Sequence, residues 1–362
     1  MSLPRVSRRA LLARSGWAVL GGLALPAALA ACAQQSAAPA ASTTTGAPAP
    51  GGPPTRTARK LTANWTAVSG GMSGIWSAQE AGLFREEGLD LELVHIASTS
   101  RAIQSMVAGE LAFSPLDPAA VVEANLNGAD VALIGAVTNR LVFSVLTRPE
   151  IQRPEQLRGK TIGITRIGSS THTAALVALD MWGLKPDEDV SLRQLQEVPA
   201  ILSGLQAGQI DGGVVSPPTN TRARQAGFLE LLNLAEQGPQ YPSICLGGAR
   251  GWLAANQDAA LGYLRAYVRG VQRFKSDHDF ALGVLRKYLE IDDPAILEDT
   301  HAQFSRYIEN VPYVSGEGMA HLIADLAADE PRLAGYTPDQ YVDHSLVRVL
   351  EANGFFQQVW AA

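Results

Sequence analysis

Residues 161–182 read TIGITRIGSSTHTAALVALDMW and predict a buried strand, a tight polar loop and then a helix. The strand is Thr161–Thr165, and the helix begins near Ser169 or Ser170. The first N–H groups of a helix have no intrahelical partner, and the helix dipole favours negative charge beside them. The loop therefore predicts a seat for a small acidic or polar head group, with the Arg166 guanidinium as a second donor.

The loop lacks the G-x-x-x-x-G-K-[ST] and G-x-G-x-x-G patterns, which argues against a nucleotide site. Two other interpretations of the loop stay open. Serine and threonine at this position also cap helices for stability alone. Arg166 equally fits a surface arginine that points away from any cleft.

The first 31 residues have the pattern of a bacterial signal peptide. Twin arginines, Arg8 and Arg9, precede an apolar run of 16–31 that is short for a membrane span and ends in small residues. They resemble a twin-arginine signal, with Leu11 where phenylalanine is more usual. Leu29-Ala30-Ala31-Cys32 resembles a lipobox, which makes Cys32 the predicted lipidation site. The alternative is cleavage after Ala31 with an incidental cysteine.

Residues 32–59 are rich in Ala, Pro, Gly, Ser and Thr, which predicts a disordered tether between a lipid anchor and a folded body. The chain has a net charge of −6 from 29 basic and 35 acidic residues. Four of the basic residues lie in 1–31, which holds no acid, so the rest carries −10. An acidic body argues against nucleic acid as a partner.

From residue 60 onward strands alternate with helices, which predicts an α/β fold of two tandem units with mostly parallel sheets and a helical tail beyond Gln257. Glu110–Phe113 and Leu141–Thr147 are among the predicted strands. In such sheets ligands bind beyond the carboxyl ends of the strands. The predicted strand ends carry six polar loops, although helix capping alone accounts for some of their hydroxyls: Ser69–Ser73, Ser98–Ser100, Ser114–Pro115, Thr138–Asn139, Arg166–Thr171 and Ser216–Pro218.

No metal site, cofactor site or catalytic motif is indicated. Cys245 is the only cysteine after Cys32, and the six histidines are scattered without an H-E-x-x-H spacing. A G-x-S-x-G elbow is also missing from the sequence. These features predict a protein that binds without catalysing a reaction.

Five segments together resemble the substrate-binding proteins of ABC importers, in the NMT1/THI5-like group that includes sulfonate, taurine, nitrate and pyrimidine-precursor binding proteins. The resemblance runs from about residue 61 to 255 and is specific for the family rather than for a ligand. The segments are Glu80–Leu89 (EAGLFREEGL), Met106–Phe113 (MVAGELAF), Leu157–Gly163 (LRGKTIG), Gly168–Thr171 (GSST) and Leu205–Gly212 (LQAGQIDG).

The resemblance implies a two-lobed, type II-like periplasmic-binding-protein fold. Lobe 1 is expected at 60–148 plus about 241–362, and lobe 2 at 149–240, with crossings near Thr147–Gln152 and Asn233–Tyr241. A small organic anion (a sulfonate or carboxylate) or a pyrimidine-type compound would bind in the cleft, and the lobes would close by a hinge motion. The expected partner is a permease with its ATPase, and the receptor itself is expected to be an exported, lipid-anchored monomer.

Carried over by position, the resemblance assigns twelve ligand-binding residues. They are Ser69, Gly70, Met72, Ser98, Ser114 and Asn139 in lobe 1, and Arg166, Gly168, Ser169, Ser170, Thr171 and Ser216 in lobe 2. Trp65, Trp76 and Phe143 are candidates for an apolar wall of the ligand site.

Two alternative functions belong to other classes of protein. One is an enzyme of pyrimidine or thiamine-precursor metabolism on the same fold, and the other is a sensory receptor without a transport role.

Overall fold

A computed structural model describes residues 58–361. The predictions for the signal segment 1–31, for Cys32 and for nearly all of the tether 32–59 lie outside these residues. The first strand begins at Arg59, the last residue assigned to the tether. Among the described residues no helix has the length and apolar character that a membrane crossing requires.

Ten strands alternate with helices over the first two thirds of the described chain. They are β1 (Arg59–Trp65), β2 (Leu89–His95), β3 (Ser114–Leu116), β4 (Val131–Thr138), β5 (Ser144–Thr147), β6 (Lys160–Ile164), β7 (Val190–Gln194), β8 (Gly212–Val215), β9 (Leu229–Asn233) and β10 (Ile244–Ala249).

The helices include a long C-terminal series, as the sequence predicts. They are α1 (Ser73–Glu80), α2 (Leu83–Glu86), α3 (Thr99–Val107), α4 (Pro118–Leu126), α5 (Ser170–Met181), α6 (Val198–Gln206), α7 (Thr219–Gln225), α8 (Leu234–Gln237), α9 (Arg250–Ala255), α10 (Gln257–Ser276), α11 (His278–Leu289), α12 (Pro294–Tyr307), α13 (Gly316–Asp329), α14 (Ser345–Ala352) and α15 (Phe355–Trp360).

The first sheet is assembled from both ends of the described chain. β1 pairs in parallel with β2, and a parallel bridge from Ala63 to Phe113 links β1 to the segment that leads into β3. β10 lies between β3 and β4 and is antiparallel to both. We call this sheet and the helices α1–α4 and α9–α15 lobe 1.

The second sheet has the order β7-β6-β8-β5-β9. β6 is parallel to β7 and β8, whereas β5 is antiparallel to β8 and β9. We call this sheet and the helices α5–α8 lobe 2. The mixed α/β fold is therefore confirmed, with four strands of each sheet pointing one way and one strand running against them.

Strand pairing corrects two sequence predictions. Only Ser144–Thr147 of the predicted strand 141–147 is a strand, and it belongs to the second sheet. The first crossing therefore lies at 139–143, ahead of the predicted Thr147–Gln152. The second correction concerns the strand predicted at Glu110–Phe113. The strand in this region is β3, which lies just after it at Ser114–Leu116, because those residues pair with the edge of β10.

Two clusters contain most of the buried hydrophobic side chains. In lobe 1, α1 packs on α10, where the Gly270 backbone comes so close to α1 that a Cβ atom would lie 2.5 Å from the Gly74 carbonyl oxygen. The second cluster runs from α3 and α4 of lobe 1 into β5, β6 and α5 of lobe 2, and it also includes residues of α13. Apolar packing is thus continuous between the lobes.

Candidate functional site

A cavity of about 50 Å³ lies where strands of both sheets end. Its lining includes Thr66 and His95, at the ends of β1 and β2, and Thr165 and Ser216, at the ends of β6 and β8. The carboxyl ends of parallel strands are where open α/β sheets bind ligands. This cavity is therefore the candidate site.

Seven of the twelve assigned residues line this cavity. Their contact with a ligand stays a prediction, since the geometry places them around the same space without identifying what fills it. They are Ser69, Met72 and Ser98 from lobe 1, and Ser169, Ser170, Thr171 and Ser216 from lobe 2. Of the proposed aromatic wall, Phe143 is in the lining, whereas Trp65 and Trp76 are not.

The N-terminus of α5 supplies hydrogen-bond donors to the cavity. Within residues 58–361 the backbone N–H groups of Ser169, Ser170 and Thr171 have no acceptor. The hydroxyls beside them bond mainly to one another, with Thr165 Oγ1 at 2.8 Å from both Ser169 Oγ and Thr171 Oγ1. This mutual bonding fixes the loop, and it leaves the main-chain donors available to an anionic or polar group.

Gly168 and Arg166 are placed differently from the sequence prediction. The Gly168 N–H donates to His172 Nδ1 at 3.3 Å, so it is already engaged, and the residue lines a separate groove along α5. Arg166 is half-buried, does not line the cavity and leaves its Nε without a hydrogen-bond partner. The lining therefore gives no support to Arg166 as a ligand contact, and that assignment stays a prediction.

Three residues assigned in lobe 1 have structural contacts instead. Gly70 packs under Phe304 of α12, and its N–H donates to the Pro217 carbonyl at 3.3 Å. The Ser114 hydroxyl donates to the Pro115 carbonyl. Asn139 donates to the Tyr313 carbonyl at 2.8 Å and accepts from the Ser315 N–H at 2.8 Å, which ties the first crossing to the segment before α13.

The two lobes contact each other directly at the cavity. The Ser216 hydroxyl donates to the Ser69 hydroxyl at 2.9 Å, and the Ser69 hydroxyl lies 3.4 Å from the Pro217 carbonyl. On another wall the Ser170 hydroxyl lies 3.4 Å from the Ser243 carbonyl. Residues predicted to hold a ligand therefore also hold the lobes together.

Behind the cavity, a buried carboxylate lies between two helix N-termini. Asp117 is 1% exposed and caps α4 through the N–H groups of Ala119 and Ala120. It also accepts a hydrogen bond from Thr173 of α5 at 3.3 Å, while its Oδ2 atom has no partner within the described residues. Burial raises the pKa of Asp117 to about 7, an effect that the hydrogen bonds from both helices oppose.

The sequence interpretation missed lining residues at the end of β2 and after β7. These are His95, Gln196 and Glu197. The rule applied to the other strand ends also covers the short loop after β7, but this loop was not among the six polar loops assigned. Gln196 (φ 74°) and Ser98 (φ 93°) occupy the left-handed region, and such strain in non-glycine residues clusters at functional sites.

Cys245 is fully buried in β10, where burial raises the pKa of its thiol well above the ordinary range. Such a thiol is inert as a nucleophile. Within residues 58–361 no group of three or more His, Cys, Asp or Glu side chains is arranged to hold a metal ion.

Known proteins resemble this chain in sequence and in fold. The taurine-binding periplasmic protein of Escherichia coli (strain K12) is 29% identical over 159 residues, which cover 43% of this chain and 48% of the relative. The match thus spans about half the length of that relative.

Among solved structures, a protein of Bordetella bronchiseptica RB50 superposes with a TM-score of 0.73 at 20% identity, over 81% of this chain and 97% of the other. The alkanesulfonate-binding protein SsuA of Xanthomonas axonopodis pv. citri, bound to MOPS, gives a TM-score of 0.65 at 18% identity, over 76% and 94%. At these identities the likeness establishes the fold, which is the predicted two-lobed periplasmic-binding-protein fold.

The family model described as "NMT1/THI5 like" matches residues 70–279, more than half of the chain, and this range includes lining residues of the cavity from both lobes. This protein therefore belongs to the NMT1/THI5-like family.

Proposed function

We propose that the protein is the extracytoplasmic solute-binding receptor of an ABC importer and that it captures a small ligand between its lobes. The observation that carries this proposal is the cavity at the strand ends, to which lobe 1 contributes Ser69 and Ser98 and lobe 2 contributes the N-terminus of α5. A ligand that contacts both walls stabilises the closed arrangement over an open one.

The proposed ligand is a small organic anion, such as a sulfonate or carboxylate, with a pyrimidine-type compound as the second class. Its acidic oxygen would accept hydrogen bonds from the N–H groups of Ser169, Ser170 and Thr171. The names of the relatives support this class, since one binds taurine and another binds alkanesulfonates. The volume of the cavity, about 50 Å³, favours a small head group.

The proposal extends to partners and location. The receptor would be exported as a monomer, anchored through a lipid on Cys32, and would deliver its ligand to a permease driven by an ATPase. A role in binding rather than catalysis is supported by the burial of Cys245, which removes the cysteine from any chemistry in the cavity.

A thermal-shift screen of the purified protein tests this function. The panel contains alkanesulfonates, small carboxylates, nitrate and aminopyrimidines. A true ligand at a hundred times its dissociation constant adds about 2.7 kcal/mol to the free energy of unfolding. We expect a clear rise in Tm for one class, confirmed by calorimetric titration.

Two variants locate the binding. Ser170→Ala removes a hydroxyl from the cavity lining and is expected to weaken binding. Arg166→Ala removes a side chain outside the lining and is expected to bind as the unmodified protein does. If no compound of either class raises the Tm, the proposed function is wrong. If Arg166→Ala abolishes binding, the ligand lies elsewhere than in this cavity.

A further inference from the structure

The buried carboxyl of Asp117 is enclosed by residues of both lobes. On the lobe 1 side, the Asp117 N–H donates to Thr99 Oγ1 of α3 at 3.1 Å, and Cys245 of β10 lies nearby. On the lobe 2 side, Thr173 of α5 donates to its Oδ1 atom at 3.3 Å, and Ser170 of α5 faces the same carboxyl. A hinge motion that moves lobe 2 away from lobe 1 therefore takes the α5 part of this cover with it.

One oxygen of this carboxyl is left for a proton. Oδ1 accepts from the N–H groups of Ala119 and Ala120 and from the Thr173 hydroxyl, whereas Oδ2 is buried and has no partner among residues 58–361. The Ser170 hydroxyl donates to the Ser243 carbonyl at 3.4 Å, so it can accept a hydrogen bond from a protonated Oδ2. The protonated form therefore has no charge to bury and gains a donor where the ionised form has an unpartnered acceptor.

The surroundings of Asp117 offer no compensating charge. In the described part of the chain, no lysine, arginine or histidine bonds to its carboxyl. The titratable groups that face it are Tyr241, which precedes β10, and Cys245, and burial raises the pKa of both, so they are uncharged at neutral pH. From α3, α4 and α5 it is faced by hydroxyls and main-chain N–H groups. Burial raises the pKa of Asp117 to about 7 here, whereas an aspartate in water has a pKa of about 3.9.

We propose that closure of the two lobes is coupled to a proton on Asp117, so that the protein closes more readily at acidic pH. With α5 against α4 the carboxyl holds the proton, and when α5 withdraws, water reaches the carboxyl and the proton leaves. Between about pH 4 and 7, closing therefore takes up a proton, and the ratio of closed to open molecules falls as the pH rises. This inference rests on the closing motion of the proposed function and on no particular ligand.

Single-molecule fluorescence transfer between dyes on the two lobes measures this ratio without any ligand. Ser203→Cys in α6 and Ala302→Cys in α12 supply exposed attachment points on opposite lobes, while the native Cys245 is buried and stays unlabelled. We expect the ratio of closed to open molecules to fall by about tenfold or more from pH 5 to pH 8, because each unit of difference between the two pKa values is a tenfold change. In Asp117→Asn, which keeps the capping oxygen and does not titrate, the ratio should change by less than about twofold.

Asp293→Asn is the matched control. Asp293 also precedes a proline and caps its helix, α12, through the N–H groups of Ala295 and Ile296, but it is exposed. This variant should keep the full response to pH. A second variant, Thr173→Val, removes the lobe 2 hydroxyl that bonds to the ionised carboxyl, and it should lower the ratio more at pH 8 than at pH 5.

The outcomes separate this inference from the proposed function. Two populations whose ratio is the same from pH 5 to pH 8 overturn the inference and leave the proposed function standing. A response to pH that persists in Asp117→Asn overturns the inference as well. A single distance between the dyes at every pH overturns the closing motion itself, on which the inference and the proposed capture between the lobes both depend.

Discussion

Asp117 shows how one residue connects local capping to the arrangement of the lobes. The same carboxylate caps α4 in lobe 1 and accepts a hydrogen bond from Thr173 of α5 in lobe 2. Its position between two helix N-termini favours the ionised form, whereas its complete burial disfavours that form more strongly. The charge of this residue therefore lowers the stability of the folded protein at neutral pH.

We predict that Asp117→Asn flattens the pH dependence of stability. Between pH 4 and 7 the folded protein keeps a proton on Asp117 that the unfolded chain has released, so the free energy of unfolding falls as the pH rises through this range. Asparagine keeps the capping oxygen and has no charge to bury. The variant should match the unmodified protein near pH 4 and exceed it at pH 8, by at most about 4 kcal/mol.

Urea unfolding at pH 4 and pH 8 measures this effect. Asp339→Asn, at an exposed carboxyl of lobe 1, is the control. The difference between its free energy of unfolding and that of the unmodified protein should be the same at both pH values. A stability difference for Asp117→Asn that is the same at both pH values would contradict the prediction.

Gly70 supports the cavity from outside its lining. A Cβ atom at this position would lie 2.3 Å from the Phe304 ring, which is itself buried. We predict that Gly70→Ala lowers the free energy of unfolding by about 1–3 kcal/mol, because overpacking forces neighbours to move. Gly251→Ala is the matched control, since a Cβ atom there meets nothing within 4 Å. Equal free energies of unfolding for the two variants, measured in urea, would contradict the prediction, because they would show that the residues around Phe304 move at little cost.

The sequence located the loop before α5 correctly, but it did not distinguish the residues of the loop that line the cavity from those that do not. Ser169, Ser170 and Thr171 could be assigned because a helix N-terminus after a strand follows from local patterns. Whether Arg166 faces the cavity depends on the turn geometry and on neighbours far along the chain, which periodicity does not encode. Asn139 was also assigned to the site and does not line the cavity, because its amide ties distant segments of lobe 1 together.

At the level of elements, long helices and buried strands were predictable and short pairings were not. The helix α11 belongs to the predicted helical tail beyond Gln257, and its apolar period and its Asp277 cap are local signals. β3 is short and contains Pro115, and it is a strand only because β10 lies beside it. The pairing of β5 with the second sheet likewise depends on residues far away in the sequence.

Contacts between α7 and α12 join the lobes outside the cavity. Asp299 of α12 accepts a hydrogen bond from Thr221 and pairs with Arg224 at 3.4 Å, both on α7. We predict that Asp299→Asn speeds ligand dissociation by about twofold to fivefold, a modest effect because water reaches this pair. Association should be nearly unchanged, because the rates of related complexes differ mainly in dissociation.

Stopped-flow measurement with the ligand found in the screen gives both rates. Asp292→Asn is the control, since its carboxyl is almost fully exposed and pairs with Arg286 within lobe 1. Equal dissociation rates for the two variants would show that α7 and α12 do not help to hold the closed arrangement.

At the level of the whole molecule, the two lobes differ in how their sheets are completed. All five strands of the second sheet come from the continuous segment 144–233. The first sheet needs β10, which follows that segment, to join β3 to β4. We predict that a fragment of residues 139–243 folds cooperatively by itself, whereas a fragment of residues 58–143 does not.

Circular dichroism with thermal melting distinguishes the two fragments. The fragment 139–243 should give a sigmoidal transition, and the fragment 58–143 a gradual one. Because part of the lobe 2 surface packs on lobe 1, a lower Tm than in the full chain is expected for the first fragment. A cooperative transition in the second fragment would contradict the prediction.

The insertion of β10 between β3 and β4 also sets an order on biosynthesis. On the ribosome β1–β4 emerge first, yet β3 and β4 remain unjoined until all of lobe 2 and then β10 have been made. During that interval β4, whose eight residues are all buried in the finished protein, has an open edge to which another chain can pair. The edge of β4 therefore stays open to such pairing until β10, the last strand of the first sheet, has been made.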